Sequence, residues 1–182
     1  MTDMITPAQA VAHDSPLRVT LSHDPADLCA LKADWETLQL NSANRCLYNS
    51  WEWTNLVWQH LCKDDELWLL TARDAHGALI GVTALLRHTF TPIRGTKWRQ
   101  ISFVAAQLEC DHLDFVCARG QELRVAQAFL AHLFAQRQRW DRLHLASLPE
   151  GSPTLAAIQP HLDPEQAQPQ PEICPYISLP DD

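Results

Sequence analysis

Residues 66–91 read ELWLLTARDAHGALIGVTALLRHTFT. Glu66–Arg73 is apolar on both faces, the composition of a strand inside a sheet rather than at its rim. Asp74, Ala75, His76 and Gly77 suit a turn, with Asp at its first position and Gly at its fourth. Ala78–Thr91 then returns as a long strand, so the stretch predicts a β-hairpin.

The flanks extend this hairpin into a mixed sheet with helices. Upstream, Leu17, Val19 and Leu21 alternate with polar residues, which predicts a half-buried strand. Asp24-Pro25 places a capping carboxylate before a first-turn proline, and Leu28, Leu31, Trp35 and Leu38 follow at helical spacing. A second helix starts after Ser50, with Trp53, Leu56, Val57, His60 and Leu61 expected on one face. Downstream, Arg94-Gly95-Thr96 turns the chain into a strand over Lys97–Val104, and His112–Cys117 reads as another. Leu123, Ala126, Phe129, Leu130, Leu133 and Phe134 stripe a long helix that ends at Arg137 and Arg139, cations suited to a C-terminal dipole. Arg142–Ser147 alternates as a strand, Ser152-Pro153 opens a helix that Pro160 limits, and Asp163–Glu172 is a proline-bearing loop before a last strand, Cys174–Leu179. The order β-α-α-β-β-β-β-α-β-α-β gives an α+β fold of three layers: a mixed, mostly antiparallel sheet flanked by helices, with parallel pairing late in the chain. Residues 1–16 are polar and read as a disordered lead-in. Residues 17–180 read as one domain.

Composition bounds the function. The chain has 182 residues, 46% of them apolar, and 14 Lys and Arg against 22 Asp and Glu, a formal charge of −8. That length buries a full core without a staple. No run approaches the ~20 apolar residues of a membrane span, and the first residues lack the basic and apolar regions of a signal peptide, so a cytoplasmic location is expected. The acidic balance argues against nucleic acid as the main partner. Six cysteines without a secretory signal read as reduced thiols, most of them small buried hydrophobes. With no CxxC and no zinc-finger interval, no metal is expected.

The element order resembles a GNAT acyltransferase fold. It is similar in particular to the N-terminal half of the tandem GNAT proteins linked to bacterial polysaccharide and cellulose biosynthesis (CelD or BcsL type), which are related in architecture to FemAB peptidyltransferases. The resemblance runs over about residues 17–180. Its carriers are Trp35-Glu-Thr-Leu38, Ser50-Trp-Glu-Trp53, Arg73 to Val82, Ile101-Ser-Phe-Val104, Cys110 to Val116, Trp140 to Leu145, Leu148 to Pro153 and Ile177-Ser-Leu-Pro180. It implies an acyl-CoA-dependent N-acetyltransferase, with acetyl-CoA or another acyl-CoA as co-substrate and an amino sugar or other amine as acceptor. Relatives of this type continue into a second GNAT half that resembles the acyl-CoA-binding one. The resemblance therefore implies half of a functional unit, partnered by that second half or by another copy, and weak or inactive alone. The alternative is a non-catalytic binding or scaffold domain.

Three groups of residues are candidates for a site. A GNAT domain holds the CoA pyrophosphate on backbone N–H groups at a helix start. The equivalent segment here is Cys117-Ala-Arg-Gly-Gln-Glu122, with Arg119, Gly120 and Gln121 as candidate cofactor contacts. It has one glycine, and Glu122 competes with a phosphate for the helix end, so an ordinary helix start is the other reading. On a strand, His112 and Asp114 would point to one face, and with Asp111 they would line a cleft where the imidazole serves as base for an incoming amine. A pair that satisfies only itself is the alternative. His144, on the next parallel strand, would face the same groove. Trp51, seven residues from Trp58 on one helix face, is a candidate sugar platform, with core or interdomain packing as the alternative. The cluster Arg87, His88, Arg94, Lys97 and Arg99 flanks a hairpin turn, either as a solvated rim or as an anion contact.

Overall fold

A computed structural model of the protein describes residues 17–91, 95–108, 110–163, 171 and 173. The expected final strand, Cys174–Leu179, and the residues 1–16 lie outside the described residues.

The predicted hairpin is the centre of the molecule. Strands β2 (Glu66–Arg73) and β3 (Leu79–Phe90) pair antiparallel from Glu66↔Arg87 to Arg73↔Leu79. Asp74 closes the turn: its carboxylate accepts from the N–H groups of His76 and Ala78, and Gly77 takes a φ of 82° that a side chain would strain. β1 (Arg18–Ser22) lies antiparallel on β2, and β4 (Trp98–Phe103) antiparallel on β3. The fifth strand, β5, is only Val116–Cys117 and also pairs with β3, while β6 (Arg142–His144) runs parallel to β4. The expected mostly antiparallel sheet with a late parallel pair is therefore present.

Helices cover both faces. On one lie α1 (Pro25–Ala30), α2 (Lys32–Leu40) and α3 (Trp51–Leu61); on the other lie α4 (Glu122–Ala135) and α5 (Pro153–Ile158). Period-2 alternation along β2 feeds both layers. Leu67 and Leu69 join Leu28, Trp35 and Val57, whereas Trp68, Leu70 and Ala72 join Val125, Phe129 and Leu133. α4 approaches β3 closely at Gly81, where a Cβ would lie 2.3 Å from Val125 Cγ1.

Several expectations need correction. The single helix expected after Asp24 is two, divided at Leu31. On α3 the buried residues are Thr54 and Val57, and Leu56 and Leu61 are about half exposed (52% and 50%). The expected strand His112–Cys117 keeps only its last two residues, and Arg142–Ser147 ends at His144. Among the cysteines, Cys62, Cys110 and Cys117 are buried thiols, Cys46 is half-buried and Cys29 exposed. Burial pushes the Cys62 thiol up to about 12, aided by the nearby Asp65 carboxylate.

Candidate functional site

One edge of β3 carries two strands in succession. β4 pairs with it from Phe90 back to Leu85, and the Val104 N–H still reaches the Ala84 carbonyl at 3.1 Å. The chain then leaves the sheet and returns at Val116 and Cys117, opposite Val82 and Gly81. β6 pairs with β4 only as far as Ser102↔His144. Past that point β5 and β6 are unpaired with each other, and the described residues 105–108 and 110–115 connect β4 to β5.

This excursion is packed and bonded. A 3-10 turn spans Ala105–Gln107, and Cys110, Leu113 and Phe115 enter the core on the α4 side. The Phe115 ring meets Phe103 and Phe129 edge-on at centroid distances of 5.9 and 5.4 Å. The Leu113 N–H bonds to the Ser147 carbonyl at 3.0 Å, which ties the excursion to the chain leaving β6. Asn49 clamps it from the other side: its amide donates to the His112 carbonyl at 3.0 Å and accepts from the Asp114 N–H at 3.3 Å. The Cys46 thiol also lies 3.6 Å from the His112 carbonyl.

The expected His112–Asp114 pair does not form. His112 takes a φ of 58°, breaking the strand that would have put both side chains on one face, and it is exposed with Asp111. Asp114 turns inward. Its carboxylate accepts from the Ser152 hydroxyl at 2.6 Å, from the Thr154 hydroxyl, and from the Phe115 N–H at 2.8 Å. Ser152 in turn caps α5 at the Thr154 N–H. Burial raises the Asp114 pKa, and the three donors partly offset that. Asn49, which sequence reasoning did not single out, is the residue that holds this loop. Nothing in a lone Asn between Tyr48 and Ser50 signals such a role.

The other candidates are placed as follows. Arg119 and Gly120 are exposed in the loop from β5 to α4, Gly120 at a φ of 77°. The loop is pinned by the bridge of Ser42 to Ala118 and by the Ala118 N–H on the Ile80 carbonyl. Gln121 is the N-cap of α4; its side chain makes no cap bond and accepts from Arg124 at 3.1 Å. Glu122 stands in the first turn. His144 is half-buried on the same sheet face as Gln100, whose amide nitrogen is 3.5 Å from its Nδ1. Burial, then the neighbouring Arg142 charge, lowers its pKa, so it is neutral at pH 7. Trp51 is half-buried: its indole donates to the Leu28 carbonyl at 2.7 Å and Lys32 lies over its ring. Trp58 packs beside it against the α1–α3 core, so the two form no open stripe.

Two hollows flank the excursion. A cavity of about 20 Å³ is lined by Asn49, Thr54, Thr83 and Asp114, among others, and has room for about one water molecule. A shallow groove of about 520 Å³ runs along α2 and the segment before α3, with Glu36, Gln39, Leu40, Arg45, Cys46 and Leu47 along it. Among the described residues no cluster of three or more His, Cys, Asp or Glu is arranged to hold a metal, and no helix is long and apolar enough to cross a membrane.

No protein-family model matches the chain, and no curated protein matches it. Among solved structures it is similar to an integron cassette protein from the mobile metagenome of V. cholerae. The likeness has a TM-score of 0.42 and 12% identity, and covers 86% of this chain and 92% of that one.

Proposed function

We propose that this chain is a GNAT-type domain that contributes one half of an acyl-CoA-dependent N-acyltransferase and does not turn over alone. The observation that carries this reading is the packing of the segment between β4 and β5, where Ala105, Cys110, Leu113 and Phe115 are buried in the core on the α4 side. An extended acyl-pantetheine arm needs a slot of several hundred Å³. Here Leu113 and Phe115 are core residues and Asp114 is locked to Ser152 and Thr154. The acceptor class, an amino sugar or other amine, rests on the sequence resemblance.

A second reading, autonomous catalysis, is favoured by the start of α4. The left-handed Gly120 and the helix end without a side-chain cap suit a phosphate contact, with Arg119 beside them. In that case His144, held neutral, is the available base. Calorimetry with acetyl-CoA separates the two. No heat at about 1 mM ligand is expected; a Kd near 10 μM, weakened in Arg119→Ala, would establish the second reading instead.

A further inference from the structure

The β3–β4 hairpin reaches beyond its neighbours. The last β3 residue paired with β2 is Arg87, and the first β4 residue paired with β6 is Gln100. Asp65 still bonds to His88 and Asp141 to Arg99, so among the described residues it is the Phe90–Trp98 pair that extends past the flanking segments and ends this two-stranded arm. Trp98 is 43% exposed, and the His88 ring stacks on Phe90 at a centroid distance of 6.0 Å.

Charge is concentrated around the base of this arm. Arg87, Lys97, Arg99, Arg137, Arg139 and Arg142 are six of the fourteen Lys and Arg in a chain of net charge −8. The fold gathers them: Arg99 bonds to Asp141 at 2.9 Å, the Arg87 guanidinium reaches the Arg139 carbonyl at 3.3 Å, and Arg142 sits opposite Gln100. Their acidic neighbours are Glu66, which pairs with Arg87 and Arg139, Asp141, which holds Arg99, and Asp65, which holds His88. Lys97 and Arg142 are exposed, and neither has an ion pair among the described residues.

We infer that this end of the molecule is a docking surface for an anionic lipid bilayer. An exposed Trp98 with the exposed Lys97 next to it in the chain and the exposed Arg142 on the neighbouring strand matches the two layers of a membrane surface, the interfacial zone that takes an indole and the charged headgroups that attract Lys and Arg. A projecting arm meets a plane. A nucleic acid strand is better served by a basic groove along which successive bases stack, and a single exposed Trp supplies one stacking platform.

Vesicle flotation of the whole chain tests this. Vesicles with about one third phosphatidylglycerol should carry the protein, pure phosphatidylcholine should not, and about 0.5 M salt should release it. Lys97→Glu should weaken binding roughly ten-fold by reversing an attractive charge. Trp98→Ser should weaken it roughly five-fold by withdrawing apolar area. Arg45→Glu, on the distant α2 groove, should have no effect. Both substituted sites on the arm are exposed, and an unchanged circular dichroism spectrum verifies the fold. Equal binding to neutral vesicles overturns the inference, as do no binding to either, full binding by both arm variants, or binding to a single-stranded oligonucleotide without binding to vesicles.

Discussion

At the residue scale Asp114 has the most to reveal. A buried carboxylate is costly unless donors surround it, and here two hydroxyls and an N–H do so. Asp114→Ala leaves the Ser152 and Thr154 hydroxyls without their acceptor and frees the start of α5. A loss of about 2–4 kcal/mol in urea unfolding is expected. Ser152→Ala removes one donor and one cap and should cost less, about 1–2 kcal/mol. His144 gives a second residue-level test. Its pKa lies below the ordinary histidine value because of burial first and Arg142 second. Arg142→Ala should move its NMR titration upward, but only part of the way, since burial remains. A full return to the ordinary value would mean that burial contributes nothing.

At the element scale, the register of β6 depends on Arg99 and Asp141. The Asp141 carboxylate accepts from the Arg99 N–H at 2.8 Å and from its guanidinium, while the Asp141 N–H returns to the Arg99 carbonyl. These bonds with Arg99 hold the Asp141 pKa at about 2 against an ordinary 3.8. A carboxylate depressed in the folded state adds stability above its unfolded pKa and loses it as pH falls through the folded one. Asp141→Asn should therefore melt below the parent protein at pH 7, with the gap closing between pH about 4 and about 2. A gap of constant size at all pH values would show that the charge is immaterial. The contact of β3 with α4 offers a steric counterpart. Gly81→Ala drives a Cβ into Val125, whose branched side chain has one favoured rotamer on a helix. A cost of about 1–3 kcal/mol is expected, and a smaller one in a Val125→Ala background.

Elements with a strong local signature were legible in the sequence. The hairpin announced itself by alternation and by Asp74 and Gly77, α4 by its apolar stripe, and α1 and α5 by a capping residue followed by proline. The region 105–121 was not. Asp111 to Cys117 has the composition of a strand, but the Asn49 clamp and the hydroxyls of Ser152 and Thr154 come from segments tens of residues away, and they pull Asp114 inward and twist His112 out. Such tertiary competition for a polar side chain leaves no periodic trace. For Trp51 and Trp58 the seven-residue spacing gave a shared helix face but did not choose between an open platform and packing, and both pack against the α1–α3 core.

At the scale of the whole molecule, the two core layers share their strands. Leu69 and Leu70 are adjacent on β2, both buried, and project into opposite layers, so no strand can leave one layer without opening the other. Trp35 is buried in the α1–α3 layer, with Trp51, Trp53 and Trp58 packed against it, and Trp68 and Trp140 are buried in the α4 layer, so both sides carry reporters. This predicts a single cooperative unfolding transition, with tryptophan fluorescence and far-ultraviolet circular dichroism superimposing in urea. Leu69→Ala and Leu70→Ala should each cost about 2–5 kcal/mol and shift both signals together. Trp35→Phe removes one reporter of the α1–α3 layer and Trp68→Phe one of the α4 layer, so the difference between each variant's fluorescence transition and the parent's reports the layer that lost its indole. Coincident midpoints, after allowance for the stability each substitution removes as read by circular dichroism, follow from a shared sheet. Separate midpoints would mean that β2 and β3 hold together after one helical layer has been lost, and that the layers are energetically independent despite the strands they have in common.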